Sequence, residues 1–232
     1  ELNVLGERRF PVPGMAFPSV DGHDRETEPV DIGEFSAIQL FLQAARQAQP
    51  DFEATASDLR EIARVCYLVQ GMPLGILLAA AWIEVLTAAE IAAEIERGLD
   101  FLATEWRDVP ERQRSLRAVF EHSWSLLTER EREVFKTLSV FRGGFTREAA
   151  EDLGASLRDL RALVGKSFLQ RSSLIGRYEA HELLRQYAAE KLAQSPADQA
   201  AARDRHSAHY TAALERFAVD LQGPRQQDAV AE

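Results

Sequence analysis

Apolar residues recur at helical spacing along most of the chain, and the polar residues between them mark where helices begin and end. Phe35, Ile38, Phe41, Leu42 and Ala45 fall on one helix face. Thr55-Ala56-Ser57-Asp58 is a capping box: the Thr hydroxyl accepts from the third backbone N–H, and the Asp carboxylate accepts from the cap's own N–H. Thr87-Ala88-Ala89-Glu90, Thr128-Glu129-Arg130-Glu131 and Ser156-Leu157-Arg158-Asp159 repeat the device. Ser195-Pro196-Ala197-Asp198 adds Pro at the first helical position. Helix starts are thus predicted near 55, 87, 128, 156 and 195, with stops at Gly71, Gly98 and Gly143-Gly144. No helix is expected before about Gly33, where Phe10-Pro11-Val12-Pro13-Gly14 reads as extended and Asp21 to Asp31 as a polar loop.

One stretch has the period of a strand. Phe168 to Ser172 and Arg177 to Ala180 alternate apolar and polar residues around Ser173-Leu174-Ile175-Gly176, which predicts a β-hairpin. Helices over about 128–141, 146–153 and 156–166, then the hairpin, spell a winged helix, closed by a helix over about 181–193. A long helix follows from about 197 to 220. The expected fold is mainly α, with a helical bundle, then a winged-helix domain, and a boundary near Asp108-Val109-Pro110.

Composition narrows the function. The chain has 46% hydrophobic and 28% charged residues, ordinary for a globular protein. Its one cysteine, Cys66, excludes a disulfide framework or a cysteine zinc site and suits a reducing cytoplasm. No apolar run approaches the length of a membrane span, so no membrane partner is expected. A start at Glu1, without Met, reads as a segment of a longer protein. The net charge of −10 disfavours nucleic-acid binding by the whole chain, although Arg and Lys slightly outnumber Asp and Glu from Pro110 to Gln194.

Few residues carry candidate chemistry. Gly71-Met72-Pro73 can be punctuation, Gly ending one helix and Pro opening the next; alternatively the Pro ring offers a flat apolar edge to an adenine. His181 opens a helix, where an imidazole either caps the end or donates to a phosphate oxygen. Gly165-Lys166-Ser167 is no P-loop: the required Gly five residues earlier is Leu160, and a helix precedes it where a strand is needed. Lys166 is expected to cap the helix end. On the 156–166 helix Arg158, Arg161 and Lys166 could face DNA, with Arg171 and Arg177 on the wing, but a packing role is the stronger expectation there. His122 is expected to be structural, and His206 and His209 to lie on a solvated face. Trp82 and Trp106 are expected to anchor a core or domain edge.

Taken in order, Gly71-Met72-Pro73-Leu74, Ser123-Trp124-Ser125-Leu126-Leu127, Leu138 to Phe145, Leu163-Val164-Gly165-Lys166-Ser167 and His181-Glu182-Leu183-Leu184-Arg185 resemble the STAND-class signalling ATPases. The likeness is to bacterial regulators with an NB-ARC-like core and TPR-like sensor repeats. It covers nearly the whole chain, with Val12-Pro13-Gly14-Met15 resembling the end of the nucleotide domain. The resemblance implies four regions: 1–33 as the end of the nucleotide-binding domain and a linker, 34–108 as a helical lid, 109–194 as the winged helix, and 195–232 as the first helix of an α-superhelical sensor. It implies an ADP/ATP switch, with magnesium in the parent protein, in which Gly71 shapes the turn, Pro73 packs on adenine and His181 meets the ADP β-phosphate. The family's Met-His-Asp triplet reads Ala180-His181-Glu182 here, so only the His carries over. Implied partners are an upstream P-loop domain and downstream repeats of the same chain, and a homo-oligomer on activation; DNA is not expected to be contacted through this segment. The parent would be a slow ATPase. This segment has neither Walker motif, should be inactive alone and requires no cofactor of its own.

Overall fold

A computed structural model describes residues 12, 14–18, 32–104, 114–172 and 176–221. The expected boundary at 108–110, Trp106, the tip of the hairpin and most of the first 31 residues lie outside the described residues. The chain is mainly helical with one small hairpin, as the hydrophobic pattern predicts. It forms two compact units, one within Glu1–Leu126 with His181–Tyr187, the other within Leu127–Ala180 with Ala188–Glu232.

The first unit is a helical bundle. α1 (Ser36–Ala48), α2 (Ala56–Leu68), α3 (Pro73–Ala80), α4 (Ala88–Arg97) and α5 (Leu116–Ser125) belong to it, and α9 (Glu182–Ala193) gives its first residues to this unit. α2 packs on α4 and α1 on α3. Their apolar stripes meet in a core that fully buries Ile38, Phe41, Ile62, Val65, Ile76, Ile91, Ile95, Leu99 and Leu116. Thr55 and Thr87 make complete capping boxes with Asp58 and Glu90.

The second unit has winged-helix topology. α6 (Glu129–Leu138), α7 (Arg147–Asp152) and α8 (Leu157–Gly165) precede β1 (Gln170–Arg171) and β2 (Tyr178–Glu179). The strands pair antiparallel, Gln170 opposite Glu179 and Arg171 opposite Tyr178, and Phe145 bridges to Tyr178 on the free edge. α10 (Pro196–Leu221) packs on α6 and α7. α6 stops at Leu138, short of the glycines expected to end it. Past that point Phe141 turns inward and stacks on Phe145, and His206 and Tyr210 of α10 lean on its ring. Burial of this aromatic cluster outweighs another helical turn.

Candidate functional site

α2 ends in a Schellman turn. The Gly71 N–H donates to Cys66 O and the Gln70 N–H to Tyr67 O, both at 2.9 Å. Gln70 (φ 47°) and Gly71 (φ 66°) are both left-handed, so the chain reverses sharply into α3. Pro73 stands at the first position of α3, where its missing N–H costs nothing. Its ring is exposed, and one turn later Leu77 is 40% exposed.

The structure brings His181 to this turn from over a hundred residues away. Its Nδ1 accepts from the Leu183 N–H at 3.2 Å, capping α9. That acceptor role places the ring proton on Nε2, which donates to Val69 O at 3.2 Å. Burial pushes His181 below the usual imidazole range, against the Val69 bond and the Glu182 charge, which favour the proton. The ring is thus neutral, with both nitrogens engaged.

A third piece of chain meets the same turn. The Met15 N–H donates to Gly71 O at 2.9 Å, and Gly71 is buried beneath it. A Cβ on Gly71 would lie 2.2 Å from Met15 O, and one on Gly14 would lie 2.5 Å from Gln70 O, so the two backbones touch where only glycine fits. Ala16 continues onto α1, donating its N–H to Ser36 Oγ and accepting from the Ala37 N–H, each at 3.1 Å. The Phe17 ring meets Tyr67 edge-on. In sequence Gly71, Pro73 and His181 stand out as candidates, whereas Val12-Pro13-Gly14-Met15 is marked only as extended and family-like, and its contact with the Gly71 turn is not foreseen.

Pro73 and Leu77 together present an exposed apolar surface on the first turns of α3. The donor expected for a phosphate is engaged by Val69, and His181 would have to leave that carbonyl to serve one.

In the second unit, Lys166 ends α8 and its ammonium meets the Glu131 carboxylate at 2.7 Å. Arg158 and Arg161 lie one turn apart on the exposed face of α8, beside half-exposed Leu157, and Arg171 is exposed on β1. None of these three arginines has an ion-pair partner among the described residues.

Two expectations are corrected. His209 is no solvated residue: its Nδ1 meets Asp152 Oδ2 at 2.6 Å and its side chain is 10% exposed. His206 packs on the Phe141 and Tyr210 rings. A helix face that looks polar in sequence thus becomes the docking face of α10. His122 is exposed on α5, so no packing role holds it. Trp82 stacks on Phe101 and donates its indole N–H to Phe101 O at 3.2 Å. Cys66 is fully buried, and burial pushes its thiol up to about 12, which leaves it unreactive. Among the described residues no cluster of His, Cys, Asp and Glu could hold a metal, and no helix is long and apolar enough to cross a membrane.

Proteins of Mycobacterium tuberculosis and Mycobacterium bovis, each named as a candidate HTH-type transcriptional regulator, are 32% identical to this chain over 244 residues, taking in 98% of this chain and 26% of their own length. An uncharacterized protein of Mycobacterium tuberculosis is 33% identical over 170 residues, covering 68% of this chain and 43% of its own length. The chain thus spans about a quarter of the length of the regulators it matches. No protein-family model matches it.

Proposed function

We propose that this chain is a segment of a transcriptional regulator and that its winged helix contacts duplex DNA through α8. The regulators at 32% identity support the class. The observation that carries the DNA contact is the exposed face of α8, where Arg158 and Arg161 have no ion-pair partner among the described residues. Arg171 on β1 adds a cation on the wing. Residues 127–180 hold ten Lys and Arg against eight Asp and Glu, whereas the whole chain is −10, so this part alone favours an anionic partner. Duplex affinity should fall steeply with salt, and replacing Arg158 and Arg161 together with Ala should flatten the log–log slope by about 2, roughly one for each phosphate no longer neutralised. Fluorescence anisotropy across a salt series measures it. An unchanged slope, or no duplex binding at low salt, overturns the DNA reading.

A second, finer reading is favoured by the convergence of Gly71, Pro73 and His181 in the first unit: the segment senses bound ADP or ATP. Pro73 would hold the base, and His181 would serve a phosphate oxygen by releasing Val69. Such a ligand would supply the energy difference between two conformations, and no chemistry is asked of this segment. The test is ADP retention in the parent protein, at the length of its relatives, purified without added nucleotide and then denatured. Wild type should release ADP, and Pro73→Ala and His181→Ala should each carry at least several-fold less. Equal retention in all three removes the nucleotide reading and leaves the DNA reading standing.

A further inference from the structure

We infer that the turn at 69–71 is a mechanical junction, at which the segment 14–18 and the start of α9 hold each other in place. Two carbonyls of one turn accept from these two remote pieces of chain, Gly71 O from Met15 and Val69 O from His181. The turn is poor in intrinsic preference, since Gln70 bears the left-handed penalty of roughly 1 kcal/mol that Gly71 avoids. Interactions from outside the turn therefore decide how well it is held. On one side the fit is backbone against backbone, with no room for a Cβ on Gly14 or Gly71. On the other, His181 is fixed by its own cap on Leu183, so its Nε2–H points at Val69 without rotational freedom.

The strap does not end at the turn. Ala16 ties it to the first turn of α1, and Phe17 meets Tyr67 in the last turn of α2. A pull on the chain at residue 14 is therefore felt at the first turn of α9, and loosening His181 loosens the strap. Such coupling is reciprocal by thermodynamic necessity. His181 acts here as a positioning residue. The junction needs no bound nucleotide and stands apart from that reading.

Backbone amide exchange in the full chain, resolved by NMR, tests it in both directions. His181→Ala should speed exchange of the Met15 amide at least tenfold while the buried centre of α1, at Phe41, keeps its protection. His181→Gln, whose side-chain amide can still donate to Val69 O, should restore most of the Met15 protection, which a loss of helix capping alone would not allow. In the other direction, Gly71→Ala drives a Cβ into Met15 and should shift the His181 Nε2 resonance. Met15 protection that is equal in wild type and His181→Ala overturns the junction. So does an unmoved His181 resonance once Gly71→Ala has released Met15. If His181→Ala does not fold, the Gly71→Ala and His181→Gln arms decide.

Discussion

His181 is committed at both ring nitrogens, and this sets how the first unit responds to acid. A proton on Nδ1 would replace the acceptor that caps Leu183. Burial depresses the folded-state value below the 6.5 of a free imidazole, so between the two values the unfolded chain binds a proton that the folded chain refuses. The stabilisation is complete above 6.5 and falls as pH drops through that window, with a slope of at most about 1.4 kcal/mol per pH unit. Urea unfolding of the first unit between pH 7 and 5 should show this slope, and His181→Gln should abolish it. His206, also lowered by burial and by neighbouring His209, should give the second unit a similar dependence that His181→Gln does not touch. The sequence marks His181 as a helix start, but it does not disclose Val69. A carbonyl is carried by every residue, so a partner of that kind leaves no mark in side-chain chemistry.

Between elements, the strongest feature is a reciprocal clasp of α6 and α8. Each helix opens with a capping box, and each box carboxylate also accepts a cation from the other helix. Glu131 closes the Thr128 box and takes Lys166, while Asp159 closes the Ser156 box and takes Arg130 at 2.8 Å. Burial opposes charge on both carboxylates, yet the hydrogen bonds from Lys166 and Thr128, and from Arg130 and Ser156, prevail and hold both below their ordinary values. Their contribution is full above about pH 4.5 and is lost as pH falls through the depressed values. Asp159→Ala removes a charged hydrogen bond and half of a cap, and should cost the second unit about 2 to 3 kcal/mol in urea unfolding. Thr128→Ala should cost about 1 kcal/mol by the same measurement. The four boxes, at Thr55, Thr87, Thr128 and Ser156, are legible because a Thr or Ser followed by a carboxylate three residues on is a chemical signature. The caps at Ser115 and Thr146 escape it: Ala118 and Ala149 stand at the third position, so those caps work from one side only. The end of α6 escapes it too, because the stop comes from an aromatic cluster assembled by residues far along the chain.

For the whole chain, helical content and the winged-helix order follow from periodicity, since both are local. Docking is not local, and that is why the α10 face of His206 and His209, expected to be solvated, instead seats His209 on Asp152, with Arg205 nearby on Leu153 O. Neither unit's sequence holds the Gly-rich loop and Lys that cradle a triphosphate, so phosphate release from ATP and magnesium by this chain alone should match the buffer blank. Robust turnover would require a phosphate-binding arrangement unlike any P-loop.

The backbone contact of Gly14 with Gly71 also has an evolutionary consequence. Two positions far apart in sequence share one constraint, and neither is free to drift while the two backbones stay in contact. Saturation of position 14 in a library selected for a folded first unit should return glycine. Losing the strap altogether would free position 14, while position 71 would keep the preference for glycine that its left-handed φ imposes.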